Sequence, residues 1–269
     1  MRLKAEKLCF RYPGGPEFRD LSLELDSGGP HILIGANGAG KSALLRALAG
    51  ALPLAGGRIL LNGEDLAALS SRERAKRLAY MPQELPASPL TVYETVLLGR
   101  TPHLRFAPDR RDRLATEAAL ERLDIGAWRK RQQKELSGGE RRQVFMALAL
   151  AQAAPVLLLD EPAESLDQRR GMEIYETLRS LVREEGKLIL AAEHDLNLAA
   201  RYGEQILALH HGRIAAQGRP ETVLTPELLR ELYGLQSLVQ KIKVRGPDGQ
   251  WEERPQAMHL GLACKISHN

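Results

Sequence analysis

Short apolar runs alternating with longer amphipathic stretches organise most of this chain. Leu3–Leu25 alternates loosely around the turn cluster Pro13-Gly14-Gly15-Pro16, which reads as strands joined by a turn. His31–Ile34 is a compact apolar run entering a glycine-rich turn, and Ser42–Ala51 has helical spacing. Arg58–Leu61 followed by Asn62-Gly63 predicts another strand and turn. From Ser70 to Ala153 the spacing becomes helical, with breaks at Pro82–Pro89, Pro102–Pro108 and Gly138-Gly139. Val156–Leu159, Leu188–Ala192 and Ile206–Leu209 are continuous apolar runs, separated by helical stretches at Gln168–Glu185 and Leu196–Tyr202. Apolar runs without alternation are buried on both faces, so this part predicts a mostly parallel sheet wrapped by helices.

Thr225-Pro226-Glu227 has the form of a helix start, with Thr225 capping and Pro226 in the first turn. Past Gly234 the pattern alternates again through Val239–Val244 and turns at Gly246-Pro247-Asp248-Gly249, predicting a β-hairpin. The expected organisation is therefore an α/β domain over residues 1–234 with an antiparallel β part at its amino end. A helical subdomain is inserted at about 86–153, and a hairpin appendage covers 235–269.

Composition narrows the class without changing this picture. The chain has 269 residues, 43% of them hydrophobic and only 4% aromatic, enough for one large α/β core. No stretch reaches the roughly 18 apolar residues of a membrane span, since Ala147–Leu159 is interrupted by Gln152 and Pro155. MRLKAEKLCFRYPGG has no signal-peptide core, so a cytosolic protein is expected. Cys9 and Cys264 form no disulfide framework, and His259, Cys264 and His268 do not match a zinc spacing. His210-His211 before Gly212 reads as a strand-turn end. The net charge of +4 is mild for a nucleic-acid binder, and the basic segments Arg72–Arg77, Asp109–Arg113 and Arg129–Lys134 read as solvated helix surface.

Three motifs carry chemistry. Gly35-Ala36-Asn37-Gly38-Ala39-Gly40-Lys41-Ser42 fits GxxxxGK[ST] in full. In such a loop, backbone N–H groups turn inward around a β-phosphate, Lys41 sets a cation against the β/γ oxygens, and the Ser42 hydroxyl ligates Mg²⁺. Asp160 and Glu161 end an apolar strand run, where the first could bind Mg²⁺ and the second polarise an attacking water. Leu136-Ser137-Gly138-Gly139-Glu140 precedes a helix, and its local physics supports either of two readings. It is a capping box, Ser137 with Glu140 three residues on, and also an anion site made of a hydroxyl, glycine N–H groups and a helix amino terminus.

With these motifs in this order, and with Gln83, Val156–Pro162, Ser165-Leu166-Asp167 and His194-Asp195, the chain from about Leu3 to Gly234 resembles the ATP-binding cassette ATPases. The resemblance implies an ATP-hydrolysing, Mg²⁺-dependent homodimer joined head to tail. Each ATP would lie between one subunit's phosphate loop and the other's LSGGE. Nucleotide would be bound by Tyr12, Gly35, Asn37, Gly38, Gly40, Lys41, Ser42, Ala43 and Asp160 of one subunit and by Ser137, Gly138, Gly139 and Asp167 of the other. Tyr12 would stack on adenine, though it also reads as a strand or core tyrosine, and Asp167 also reads as a helix cap. Mg²⁺ would be held by Ser42, Gln83 and Asp160. Catalysis would fall to Glu161, His194 and Gln83.

Three departures stand out: Ala43 where threonine is common, Ala163-Glu164 where a threonine and a small residue commonly follow DEP, and Glu193 where a small or hydroxyl residue usually precedes the histidine. Leu78–Gln83, Thr91–His103 and His194–Ala199 are similar to the ATPases of importers for iron-siderophore, haem and cobalamin. That narrower likeness implies a peripheral subunit on the cytoplasmic face of the inner membrane, beneath two permease subunits served by a solute-binding protein. Val92, Val96 and Leu97 read equally as permease contact or core. The alternative is a soluble ATPase of the same family acting on nucleic acid or in repair, without a permease. Such proteins often carry two cassettes or a long coiled coil, and neither pattern occurs here.

Overall fold

The computed structural model describes residues 1–12, 15–86, 88–246 and 249–263. The predicted turns at Pro13-Gly14 and Pro247-Asp248, and also Cys264 and His268, lie outside the described residues. Strands β1 (Arg2–Arg11) and β2 (Glu17–Asp26) pair antiparallel, with Arg2 opposite Asp26. Their alternation sends Leu3, Ala5, Leu8, Phe18, Leu23 and Leu25 inward. β3 (His31–Ile34) runs through the glycine loop into α1 (Lys41–Leu48), and β4 (Gly56–Leu61) and β5 (Glu64–Asp65) complete a four-stranded antiparallel sheet ordered β2-β1-β4-β5.

α2 (Ser71–Arg77) then leads into β6 (Leu78–Met81), which corrects the helical reading of this stretch. Four residues are too few to show a period of two, and the strand is specified by a distant partner. Leu78–Met81 pairs in parallel with Val156–Leu159. The helices α3 (Val92–Leu98), α4 (Arg110–Arg122) and α5 (Gly138–Ala151) pack together before β7 (Val156–Asp160). Val92 and Val96 are fully buried there, whereas Leu98 and Phe106 face solvent. α5 begins at Gly138 itself, so the two glycines open the helix and do not interrupt it.

α6 (Gln168–Glu185), β8 (Leu188–Ala192), α7 (Leu196–Tyr202), β9 (Gln205–His210) and β10 (Arg213–Gly218) follow. The six-stranded sheet is ordered β10-β9-β3-β8-β7-β6 and is parallel except for β10. Alternate residues of its central strands enter two different cores, which is why their sequences show no polar alternation. Ile32, Ile34, Leu157, Leu159 and Ile189 face Val144, Ile174 and Leu178 of the covering helices. Leu33, Val156, Leu158, Leu188 and Leu190 face Leu44, Leu45 and Leu48 of α1, which lies between this sheet and the antiparallel one.

After α8 (Pro220–Val223), Thr225 caps α9 (Pro226–Tyr233), and β11 (Leu235–Arg245) pairs antiparallel with β12 (Trp251–Leu262). β12 grips α7 and its exit. Asn197 accepts a hydrogen bond from the Ala257 N–H at 3.0 Å, and Arg254 donates to the Gly203 carbonyl at 3.1 Å. Among the described residues no helix is long and apolar enough to cross a membrane.

Candidate active site

The site forms where parallel strands end. Leu33 pairs with Ala192 and Ala192 with Asp160, so the loops leaving β3, β8 and β7 emerge side by side. Two further backbone bonds extend this register into the loops. Glu161 N–H donates to the Ala192 carbonyl at 3.1 Å, and Glu193 N–H to the Leu33 carbonyl at 3.0 Å.

The glycine loop needs its glycines locally. Gly40 has φ of 100°, and a β-carbon there would meet the Phe18 ring at 2.5 Å. This contact presses the loop against the antiparallel sheet. Lys41 opens α1 almost fully buried, and its ammonium donates to the Gly35 carbonyl at 2.8 Å. Burial lowers its pKa, while the negative charges of Glu161 and Asp160 pull it back up. Ser42 lies beside Asp160.

Asp160 is wholly buried, and its Oδ1 has no hydrogen-bond partner. Burial raises its pKa, and the Ser42 hydroxyl with the cations of Arg46, Lys41 and Arg142 oppose that rise. A buried carboxylate oxygen facing a serine hydroxyl suits a hard, oxygen-seeking cation, and Mg²⁺ fits this donor set. Glu161 follows with φ of 53°, a left-handed conformation for a residue with a side chain. Its Oε2 accepts from Gln83 Nε2 at 3.1 Å and lies 3.7 Å from His194 Nδ1. Burial and the neighbouring Glu164 raise its pKa, and His194 and Lys41 lower it.

These groups surround one cavity of about 630 Å³, lined by Tyr12, Ala36, Asn37, Gly38, Gly40, Lys41, Ser42, Ala43, Gln83, Glu161 and His194. The Tyr12 ring reaches it from the amino-terminal sheet, held by Arg46, which donates to its hydroxyl at 2.8 Å and sits 5.4 Å from its ring centre. Ser137, Gly138, Gly139 and Asp167 do not line this cavity. Ser137 caps α5 in a reciprocal box: its hydroxyl accepts from Glu140 N–H at 3.2 Å, and the Glu140 carboxylate accepts from Ser137 N–H at 2.8 Å. Asp167 caps α6 through Arg170 N–H at 2.9 Å. Both cap readings hold in this chain.

Sequence reasoning gave no role in the site to four residues. Arg46 lies one turn beyond Ser42 on α1, and helical spacing could have found it. Tyr80 brings its hydroxyl to 3.5 Å from Asp160 Oδ2, and Arg142 donates to the Asp160 carbonyl at 3.3 Å while pairing with Glu164. No local signal marks these three, because each depends on contacts between distant segments.

A family model described as ABC transporter matches residues 18–164, which holds the loop, Gln83, LSGGE and the two acids in this geometry. The chain belongs to the ABC transporter family. The hemin import ATP-binding protein HmuV of Pseudomonas entomophila is 42% identical over 253 residues, covering 91% of this chain and 97% of that protein. The cobalamin import ATP-binding protein BtuD of Halobacterium salinarum is 43% identical over 203 residues, covering 75% of this chain and 51% of that protein. The chain thus spans about half the length of that relative.

Among solved structures, an inward-facing transporter assigned to the metal-chelate ABC type superposes with a TM-score of 0.80 at 25% identity, covering 95% of this chain and 97% of that one. The ATP-binding cassette MJ0796, solved as a dimer bound to ADP and Pi, gives 0.74 at 25% identity over 81% and 98%. ABC ATPases bind ATP, dimerise and pair with permeases, and this chain has their fold.

Proposed function

We propose that this chain is the ATP-hydrolysing subunit of an importer for an iron chelate, haem or cobalamin. The observation that carries the reading is the convergence of Lys41, Ser42, Glu161, Gln83 and His194 on one cavity at the strand ends, with Asp160 buried beside Ser42. The named cargoes of the HmuV and BtuD relatives support the substrate class. The working unit is a homodimer beneath two permease subunits, on the cytoplasmic face of the membrane, with a solute-binding protein delivering cargo to the permease.

In this reading the inward N–H groups of Gly38 and Gly40 and the Lys41 ammonium bind the β- and γ-phosphates. Lys41 must leave the Gly35 carbonyl to do so, exchanging one neutral acceptor for a charged one. Ser42, Asp160 and Gln83 would hold Mg²⁺, which supplies charge neutralisation of the phosphates. Glu161 orients the attacking water and accepts its proton, with its pKa raised toward the range where a carboxylate is an effective base. Gln83 and His194 flank the same carboxylate oxygen, so they fix its direction and the water beside it. Tyr12 offers its ring to adenine. Ser137, Gly138, Gly139 and Asp167 complete the site of the second subunit.

The test is purification of the complex with its membrane subunits, followed by uptake of haem, cobalamin and ferric-siderophore into vesicles. ATP-dependent accumulation of one of them, lost on Lys41→Ala, is the expected result. Copurification with DNA or ribosomes and no membrane subunit would overturn the importer reading.

A further inference from the structure

Glu193 is a buried acid that the proposed hydrolysis leaves without a task. It follows the last residue of β8, is 1% exposed, and its backbone N–H is tied to β3. Its carboxylate joins two elements. Oε1 accepts from the Tyr175 hydroxyl at 2.8 Å, and Oε2 accepts from the backbone N–H groups of His194 at 3.1 Å and Asp195 at 3.4 Å. Tyr175 is itself fully buried on α6 and stacks on Tyr202 at 5.3 Å between ring centres. Its hydroxyl is therefore a fixed point.

His194 is the opposite case. Its side chain is 58% exposed, with Nδ1 standing 3.7 Å from Glu161 Oε2. An exposed ring that must meet a buried carboxylate depends on its own backbone for placement. That backbone is held by Glu193, through hydrogen bonds that are strengthened by the acceptor's charge. Burial raises the pKa of Glu193, and the Tyr175 hydroxyl, the nearby His194 side chain and the two N–H groups oppose that rise. A side chain of serine length could not span from this turn to α6. Glutamate can.

We propose that Glu193, braced by Tyr175, is a positioning residue that sets the His194 turn so that the imidazole meets Glu161 and the γ-phosphate. The inference rests on the catalytic reading of His194, and a double-mutant cycle on the full-length chain separates the two. Glu193→Ala lowers kcat roughly 10- to 100-fold, the range for a misplaced catalytic group, and leaves ATP affinity unchanged. In a His194→Ala background the same substitution lowers kcat no further. Glu193→Gln recovers most of the lost rate, because its amide oxygen still accepts both N–H groups and its NH₂ can donate to the Tyr175 oxygen. If Glu193→Ala misfolds, Tyr175→Phe run through the same cycle carries the test.

A Glu193→Ala chain hydrolysing at the parent rate, or losing the same factor with and without His194, overturns the proposal. A His194→Ala chain that hydrolyses at the parent rate removes the catalytic reading itself. A slow His194→Ala beside a fast Glu193→Ala removes only the positioning role.

Discussion

Beside the loop Gly35–Ser42 a buried oxygen of Asp160 has no hydrogen-bond partner, whereas Ser137 and Glu140 pair their polar groups with each other. Asp160 has a buried oxygen without a hydrogen bond, and Lys41 rests on a neutral carbonyl. Burial raises the pKa of both carboxyls. Ser137 and Glu140, by contrast, exchange two hydrogen bonds and close a helix end. In the proposed site the unpartnered Asp160 oxygen, beside the Ser42 hydroxyl, is where Mg²⁺ would be held. At the other motif the capping box leaves Ser137 exposed, and in the proposed dimer it would face the nucleotide held by another copy.

The sharpest way to break this comparison is to disable each half in a different chain. Ser137→Arg abolishes hydrolysis and leaves ATP binding at Lys41 intact, while Lys41→Ala loses both. Mixing the two inactive chains restores phosphate release, because a mixed dimer contains one site with an intact loop and an intact Ser137. No recovery on mixing would mean that the two motifs serve a single chain. Next in size, Glu161→Gln lowers kcat by about 10²- to 10⁴-fold, the usual contribution of a general base, with nucleotide still bound. Single-turnover measurement of γ-phosphate release checks it, and an undiminished rate would refute the base assignment.

A smaller effect belongs to Gly139, where a β-carbon would meet the Ser165 carbonyl oxygen at 2.7 Å. Gly139→Ala should lower stability by about 1–3 kcal/mol through overpacking, partly offset by alanine's better helix propensity. Thermal unfolding without a drop in Tm would show that this approach is slack. The smallest effect is electrostatic and distinguishes the buried acids from the capping glutamate. The folded pKa of Glu193 lies above its ordinary value of 4.5, so the native state holds its proton longer than the unfolded chain. Stability therefore falls as pH rises above 4.5 and levels off beyond the folded pKa. Glu140, whose pKa is lowered by the Ser137 N–H, runs the other way and loses its contribution as pH falls below 4.5. Comparing Tm of Glu193→Gln with the parent across pH should show a gap that widens upward from 4.5, and a flat gap would contradict it.

What could be read from sequence follows the range of the interaction concerned. α6 was legible at both ends because its signals are adjacent: Asp167 caps one end and Gly186, at φ of 62°, closes the other. The phosphate loop and the two acids were legible because each is a contiguous motif at a strand end. β6 was not, since Leu78–Met81 becomes a strand only by pairing with residues nearly eighty positions away. Glu193 was visible as a departure, but its partner Tyr175 lies on another helix and nothing local names it. The cavity gathers Tyr12 and His194 from positions far apart in the chain, and that gathering is a property of topology alone.

Glu161 shows what such a site asks of the rest of the molecule. At φ of 53° it occupies a conformation that costs a residue with a β-carbon roughly 1–2 kcal/mol and costs glycine almost nothing. Glycine at 161 would relieve this strain and, in the proposed hydrolysis, remove the base in a single substitution. The residue is thus a point where the most stable sequence and the working sequence part.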